Sequence, residues 1–97
     1  MDLREAESAL EAVLFASGDA IDVERLCALV SLDRKIAESI LTDLADKYKF
    51  ERRGFRLVRM ETRYQMVSAP EHAELIRAAL EERRAPPMSK AALEVLS

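Results

Sequence analysis

The sequence has few of the residues on which metal sites, disulfides and phosphate-binding loops depend. It contains one cysteine, one histidine and two glycines among 97 residues. A single thiol cannot form an internal disulfide, and Cys27 with His72 is too small a set for a zinc site, so no metal or other cofactor is expected. Gly18 and Gly54 alone cannot build a glycine-rich phosphate cradle. Because no nucleophile and base motif is present either, the sequence predicts a protein that is not an enzyme.

Long apolar runs and an excess of positive charge are also missing. Residues 1–5 contain two acids where a secretory signal would be positively charged, and no unbroken apolar run follows them, so we expect a cytoplasmic protein without a membrane span. The formal net charge of −3 disfavours attraction of the whole surface to nucleic acid. An apolar share of 49% and a charged share of 34% are typical of one globular domain of this length.

The basic residues are concentrated in residues 47–63. This segment contains seven bases and two acids, a net charge of +5, and the rest of the chain therefore carries −8. The bases are Lys47, Lys49, Arg52, Arg53, Arg56, Arg59 and Arg63. Two interpretations are open: the five arginines make a weak contact with DNA phosphates, or they form an ordinary solvated surface whose stems cover apolar neighbours.

Apolar periodicity predicts three helices in the first fifty residues. The buried face of the first helix consists of Leu3, Ala6, Leu10, Val13 and Leu14. Gly18 stands where this helix can end in the left-handed region at no steric cost. Asp22 and Asp33 are suited to cap the second and third helices, each preceded by an apolar residue, Ile21 or Leu32.

The second and third helices also have continuous apolar faces. That of the second consists of Val23, Leu26, Cys27 and Val30, and that of the third of Ile36, Ala37, Ile40, Leu41, Leu44 and Tyr48. Since a link of about three residues joins them, they form a helix-turn-helix. On this face Cys27 is expected to behave as a small hydrophobic residue, and His72 farther along is expected to be partly exposed.

After Gly54 the pattern changes to short runs typical of strands. Residues 55–60 and 64–68 predict a β-hairpin around a polar tip, Glu61-Thr62-Arg63, which lacks the Asn-Gly or Gly-Gly signal of a two-residue turn. Pro70 favours the start of a fourth, closing helix that ends near Arg84. The fold class is therefore mainly α, with some β: a winged helix-turn-helix of three helices, a hairpin wing and a closing helix, over residues 1–84.

The pattern of the last residues indicates a domain boundary. Pro86 and Pro87 indicate a stiff linker at 85–88, and Ser89 caps a further short helix at 89–97, which the end of the sequence cuts off. The pattern predicts the first helix of a second domain, and hence a chain that is a piece of a longer protein.

Three stretches of this sequence resemble segregation and condensation protein B, the ScpB family. They are residues 9–18 (ALEAVLFASG), residues 56–58 (RLV) with 64–67 (YQMV), and residues 88–96 (MSKAALEVL), which together span nearly the whole chain. The resemblance implies two winged-helix domains, of which the second is missing here. Family members often carry glycines where this chain has Glu61-Thr62-Arg63, so the resemblance does not determine the conformation of the hairpin tip.

The resemblance also implies a role. Proteins of this family act with the kleisin ScpA and the SMC ATPase in condensing and partitioning chromosomes. Their amino-terminal domains pair as a homodimer and their carboxyl-terminal domains supply a main grip on the kleisin. The expected function is a non-catalytic, nucleoid-associated subunit, with weak or indirect DNA contact and no small-molecule substrate.

The alternative function is that of a winged-helix transcriptional regulator that reads DNA with its third helix. Seven residues face away from the apolar side of that helix: Lys35, Glu38, Ser39, Thr42, Asp43, Asp46 and Lys49. Three acids against two lysines would repel phosphates, which disfavours this alternative.

Two features predict an association surface. Phe15 lies about 140° from the centre of the first helix's apolar face, and in the hairpin Val58 and Met60 alternate with Phe55 and Leu57, so both faces of the ribbon carry apolar groups. Either another helix or a second chain covers the extra face. We expect Val58, Met60 and Phe15 to contribute to a dimer interface.

Overall fold

The computed structural model describes residues 2–84, and the predicted linker 85–88 and helix 89–97 lie outside the described residues. The elements follow the predicted order with one addition, the strand β1. They are α1 (Leu3–Ser17), β1 (Ile21–Asp22), α2 (Val23–Val30), α3 (Arg34–Phe50), β2 (Phe55–Met60), β3 (Arg63–Ser68), a 3-10 turn (Pro70–His72) and α4 (Ala73–Arg84). The winged helix-turn-helix is confirmed.

The predicted helix caps are in place. The carboxylates of Asp22 and Asp33 each accept a backbone N–H from the first turn of their helix at 2.9 Å. Gly18 ends α1 with a φ of 71°. Two other helix ends have a left-handed residue that is not glycine: Ser31, which ends α2 with a φ of 57°, and Arg52 just after α3 with a φ of 55°. Compact turns therefore end α2 and α3 without a glycine signal in the sequence.

The hairpin belongs to a three-stranded antiparallel sheet in the order β1-β3-β2. The sequence pattern does not predict β1, whose Ile21 and Asp22 pair with Tyr64 and Arg63. Met60 pairs directly with Arg63, so the tip is a two-residue turn, and Arg63 belongs to β3 instead of to the tip. Within that turn, Glu61 has a φ of 60° and takes the left-handed position that glycine usually occupies.

The core is assembled around the buried face of α3, which packs against α1, α2 and β2. The largest fully buried side chains are Leu10, Leu14, Leu26, Leu41, Leu44 and Val23. Leu3 and Ile36, both predicted on buried faces, are exposed. They lie in the first turns of α1 and α3, where they line an open groove between the two helices that no other described element covers.

Two buried tyrosines differ in how their hydroxyl groups are satisfied. Tyr48 packs edge-on against Phe55, with ring centroids 4.7 Å apart, and its hydroxyl donates to the Glu11 carboxylate. Burial and this hydrogen bond raise the pKa of Tyr48. Tyr64 packs beneath Arg59, whose guanidinium carbon is 5.7 Å from the ring centroid, and its hydroxyl has no partner among the described residues. The same Tyr-to-Phe change should therefore act differently at the two positions.

We predict that Tyr48→Phe lowers the free energy of unfolding by about 1–2 kcal/mol, because it removes a donor to a carboxylate. Tyr64→Phe should leave stability unchanged or raise it by up to about 1 kcal/mol, because it removes a buried hydroxyl without a partner. Urea unfolding of both variants at one protein concentration measures this difference. Equal destabilisation by the two changes would contradict it.

The hydrogen bonds of the Asp22 carboxylate link the helix-turn-helix to the wing, and we expect this link to be sensitive to acid. Its carboxylate accepts the Glu24 N–H at 2.9 Å and the Thr62 hydroxyl at 3.0 Å. The backbone bond first, and then the Thr62 bond, lower the pKa of Asp22 from its ordinary value of 3.8. A lowered pKa in the folded state gives stability that is present above the ordinary value and is lost as the pH falls through the folded value.

We therefore expect Asp22→Asn, whose Oδ1 can still accept the Glu24 N–H, whose Nδ2 can donate to the Thr62 hydroxyl and which cannot titrate, to lose less stability than the parent chain when the pH falls from about 5 to about 2. Thermal unfolding across that pH range measures the difference. Asp19→Asn is the matched control, because the Asp19 carboxylate makes no hydrogen bond within residues 2–84. If the stability of Asp22→Asn falls with pH as steeply as that of the parent chain, the predicted contribution of the Asp22 carboxylate is wrong.

Candidate protein-association surface

Reactive side chains are sparse in the described part of the chain. Cys27 is buried on α2, and burial raises the pKa of its thiol, which disfavours the reactive thiolate. His72 is exposed at the end of the 3-10 turn. Residues 2–84 contain no cluster of histidine, cysteine and acidic side chains that could hold a metal ion. Among the same residues, no helix is long and apolar enough to cross a membrane.

The basic segment at residues 47–63 is largely paired with acids of the same chain. The ion pairs are Lys47–Glu7 at 3.6 Å, Arg53–Glu51 at 3.1 Å, Arg56–Glu71 at 2.9 Å and Arg59–Glu38 at 3.5 Å. Among residues 2–84, no acidic oxygen lies within 4.0 Å of the side-chain nitrogens of Lys49, Arg52 or Arg63. The five arginines named from the sequence thus include three whose charge is offset locally.

The outward face of α3 is exposed and acidic, as the periodicity predicts. Asp43 and Asp46 are exposed on it, and Glu38 is half-buried between Arg34 and Arg59, at 3.1 and 3.5 Å. These carboxylates lie where a DNA-reading helix would meet the phosphate backbone. With Lys35 and Lys49 on the same face its net charge is −1, so α3 lacks the excess of cations that a DNA-reading helix needs.

The two faces of the hairpin divide as the alternation predicts. Leu57 is buried and Phe55 packs against the core on the inner face. On the outer face Val58 is half-buried and Met60 is 44% exposed. This outer face also carries Arg63 and other polar side chains, so its apolar part is small.

Phe15 places an exposed aromatic ring on α1. It is 75% exposed near the carboxyl end of the helix, and it meets neither α3 nor α4 in the pocket that it lines. It forms one wall of a groove of about 380 Å³, whose other walls include Ala12, Phe55 and Met66. We call this the Phe15 groove. It continues over Ser68 at the end of β3, close to the start of α4.

Helix α4 presents an unpartnered apolar face. Leu75 is 71% exposed, Leu80 is 46% exposed and Ile76 is half-buried. The main contacts of α4 within residues 2–84 are with the 3-10 turn that precedes it. The sequence pattern predicts that this helix closes the domain. It does not identify Leu75 and Leu80 as surface residues, because periodicity locates a face without showing what covers it.

Comparison with known proteins finds similarity to one family. The family model for the segregation and condensation complex subunit ScpB matches residues 8–97. Segregation and condensation protein B of Ruminiclostridium cellulolyticum is 32% identical over 97 residues, which are all of this chain and 51% of that protein. The protein of the same name from Acetivibrio thermocellus is 33% identical over 98 residues, which cover all of this chain and 50% of that protein. The chain spans about half the length of these curated relatives.

One solved structure is similar to this chain in both fold and amino-acid sequence. The crystal structure of a dimer of the ScpB N-terminal domain complexed with ScpA peptide superposes with a TM-score of 0.74 and 26% identity, covering 79% of this chain and 96% of that one. The family model and these similarities agree with the resemblance found in residues 9–18 and 88–96. The chain belongs to the segregation and condensation protein B family.

Proposed function

We propose that this chain is a non-catalytic subunit domain of a bacterial SMC–kleisin complex, where it forms homodimers and binds protein partners in chromosome condensation and segregation. It works in the cytoplasm at the nucleoid, with the kleisin ScpA as its direct partner and the SMC ATPase reached through the kleisin. The observation that carries the proposal is the uncovered apolar surface of Phe15 and α4 on a domain whose α3 face is acidic.

The solved relative supports this proposal. That relative is a dimer of the N-terminal domain with an ScpA peptide, and the similarity covers 96% of its chain. An exposed apolar patch rimmed by polar residues is typical of protein interaction sites. The Phe15 and α4 surfaces have this character, whereas a small-molecule site would be concave and would contain converging polar groups.

The domain division is part of the proposal. Residues 1–84 form the winged-helix domain, residues 85–88 a linker, and residues 89–97 the first helix of a second winged-helix domain. The proline pair Pro86-Pro87 and the helix-capping residue Ser89 support this division.

We predict that the chain is a two-fold dimer in solution and that Val58→Glu combined with Met60→Lys makes it monomeric. Both side chains face outward from the hairpin, and a two-fold interface contains each of them twice. Light scattering after gel filtration measures the mass, and circular dichroism measures the retained helix. A folded, dimeric double variant would place the hairpin outside the interface, and an unfolded one would assign Val58 to the core.

We also predict weak DNA binding that is indifferent to sequence. Arg52 and Arg63 are the arginines of the basic segment without an ion pair in the described chain, so few phosphates can be neutralised. Fluorescence anisotropy with duplexes of different sequence should show binding that fades steeply between about 50 and about 200 mM salt. Arg52→Gln with Arg63→Gln should lower the salt slope by about 2. Tight binding to one sequence would support the transcriptional regulator instead.

A further inference from the structure

We propose that the turn at the end of α3 binds single-stranded nucleic acid, with one base stacked on the ring of Phe50 and the phosphates held by the cations around it. The surface consists of residues 47–53, and we call it the Phe50 turn. This binding activity goes beyond the proposed association function and does not depend on it. It also differs from the weak duplex contact predicted above, because it requires unpaired bases.

The first argument is the exposure of the aromatic ring. Phe50 is 89% exposed, the highest value among the large apolar side chains of residues 2–84. The residues that follow it, 51–54, are exposed as well. Both faces of the ring are therefore open to a flat partner. Stacking of a base on such a ring removes apolar surface from water and is tolerant of sequence, since every base has a π-face.

The second argument is that the turn holds the ring in a fixed position. The N–H groups of Glu51 and Arg53 donate to the carbonyls of Lys47 and Tyr48 at 2.9 and 3.0 Å. The Arg52 N–H donates to the Lys49 carbonyl at 3.1 Å. Tyr48 itself is buried against Phe55, which fixes the base of the turn in the core. A platform that is already ordered loses little conformational entropy when a ligand binds.

The third argument is charge complementarity. Residues 47–53 contain four bases and one acid, a net charge of +3. Lys49 and Arg52 form no ion pair within residues 2–84. The pairs of Lys47 with Glu7 and of Arg53 with Glu51 leave the two cations 50% and 58% exposed, so water weakens both pairs. All four cations are therefore available to phosphates around the ring.

The surroundings of the turn favour a single strand over a duplex. In a duplex the faces of the bases are covered by their neighbours, so the ring of Phe50 would have nothing to stack on. Asp43 and Asp46 are exposed on the preceding turns of α3 and would repel a rigid duplex laid along the helix. A flexible single strand can reach the turn and bend away from these carboxylates.

The composition of the turn disfavours a lipid surface and a protein partner. Membrane-surface helices insert an apolar face of several residues, whereas the exposed neighbours of Phe50 in the turn are charged. The buried centre of a protein interface is depleted of charged residues, which again does not fit four cations around one ring. Cations interleaved with an exposed aromatic ring are the combination that single-strand binders use.

A tryptophan at position 50 tests the stacking directly. The chain contains no tryptophan, so Phe50→Trp introduces a single fluorophore. The probe is oligothymidylate of about 12 nucleotides, a length within the range of single-strand sites. We expect it to quench the fluorescence, because the indole stacks on a base. Leu29→Trp is the matched control, since Leu29 is 47% exposed on α2, outside the turn. Equal quenching of both variants would contradict the proposal.

Affinity measurements separate stacking from charge. Phe50→Leu keeps an apolar side chain without an aromatic face, and we expect it to bind labelled oligothymidylate roughly 10-fold more weakly than the parent chain, whereas Phe50→Trp binds at least as tightly. Lys49→Gln with Arg52→Gln should lower the salt slope by about 1.4, because each phosphate contact with a single strand contributes about 0.7. Fluorescence anisotropy gives the affinities, circular dichroism verifies the fold, and oligouridylate of the same length distinguishes RNA from DNA as the source of the strand.

Three further results would overturn the inference. Equal affinity for oligothymidylate and for its duplex with oligodeoxyadenylate would reduce the contact to attraction of phosphates. Unchanged affinity of folded Phe50→Leu would exclude stacking. Quenching of Phe50→Trp by phosphatidylserine vesicles but not by oligothymidylate would assign the turn to a lipid surface. None of these results affects the proposed association function, which rests on Phe15 and α4.

Discussion

The contacts by which Tyr48 joins its own helix α3 to α1 and β2 are the interaction on which the rest of the domain depends. Its ring meets Phe55 at the start of β2, and its hydroxyl donates to Glu11 on α1. Because Tyr48 lies in the last turns of α3, it fixes the end of that helix against both the first helix and the wing. The continuous buried face of α3 then determines where α1, α2 and β2 can pack. The inner face of the hairpin is buried as a consequence, and the outer face is not.

Most of this framework is predictable from local signals. Asp22 and Asp33 cap their helices, and Gly18 ends α1, because each of these positions has a chemical requirement that a few residue types meet. The apolar periodicity of α1, α2 and α3 predicts their buried faces for the same reason. The alternation of Leu57 and Val58 assigns the two faces of the wing, since side chains of neighbouring strand residues point in opposite directions.

What the sequence does not predict depends on pairing between distant residues. Strand β1 has two residues and exists only because Ile21 and Asp22 reach Tyr64 and Arg63, some forty positions later. Leu3 and Ile36 have the right period for burial but lie in first turns that no described element covers. Glu61 adopts a left-handed conformation, which a sequence pattern predicts only where a glycine is present. Of the candidate interface residues, Phe15 was identified by its angle around α1, whereas Leu75 became apparent only when the exposure of α4 was known.

The distribution of charge and apolar surface separates this domain from a DNA-reading winged helix. A DNA reader needs cations that are free to displace the counterions of phosphates. Here three arginines of the basic segment bind acids of their own chain, and the exposed side of α3 carries Asp43 and Asp46. The exposed apolar surface is instead displaced to the end of α1 and to α4, away from that helix face. The winged-helix architecture is thus retained, while the uncovered apolar area has the character of a protein-interaction surface.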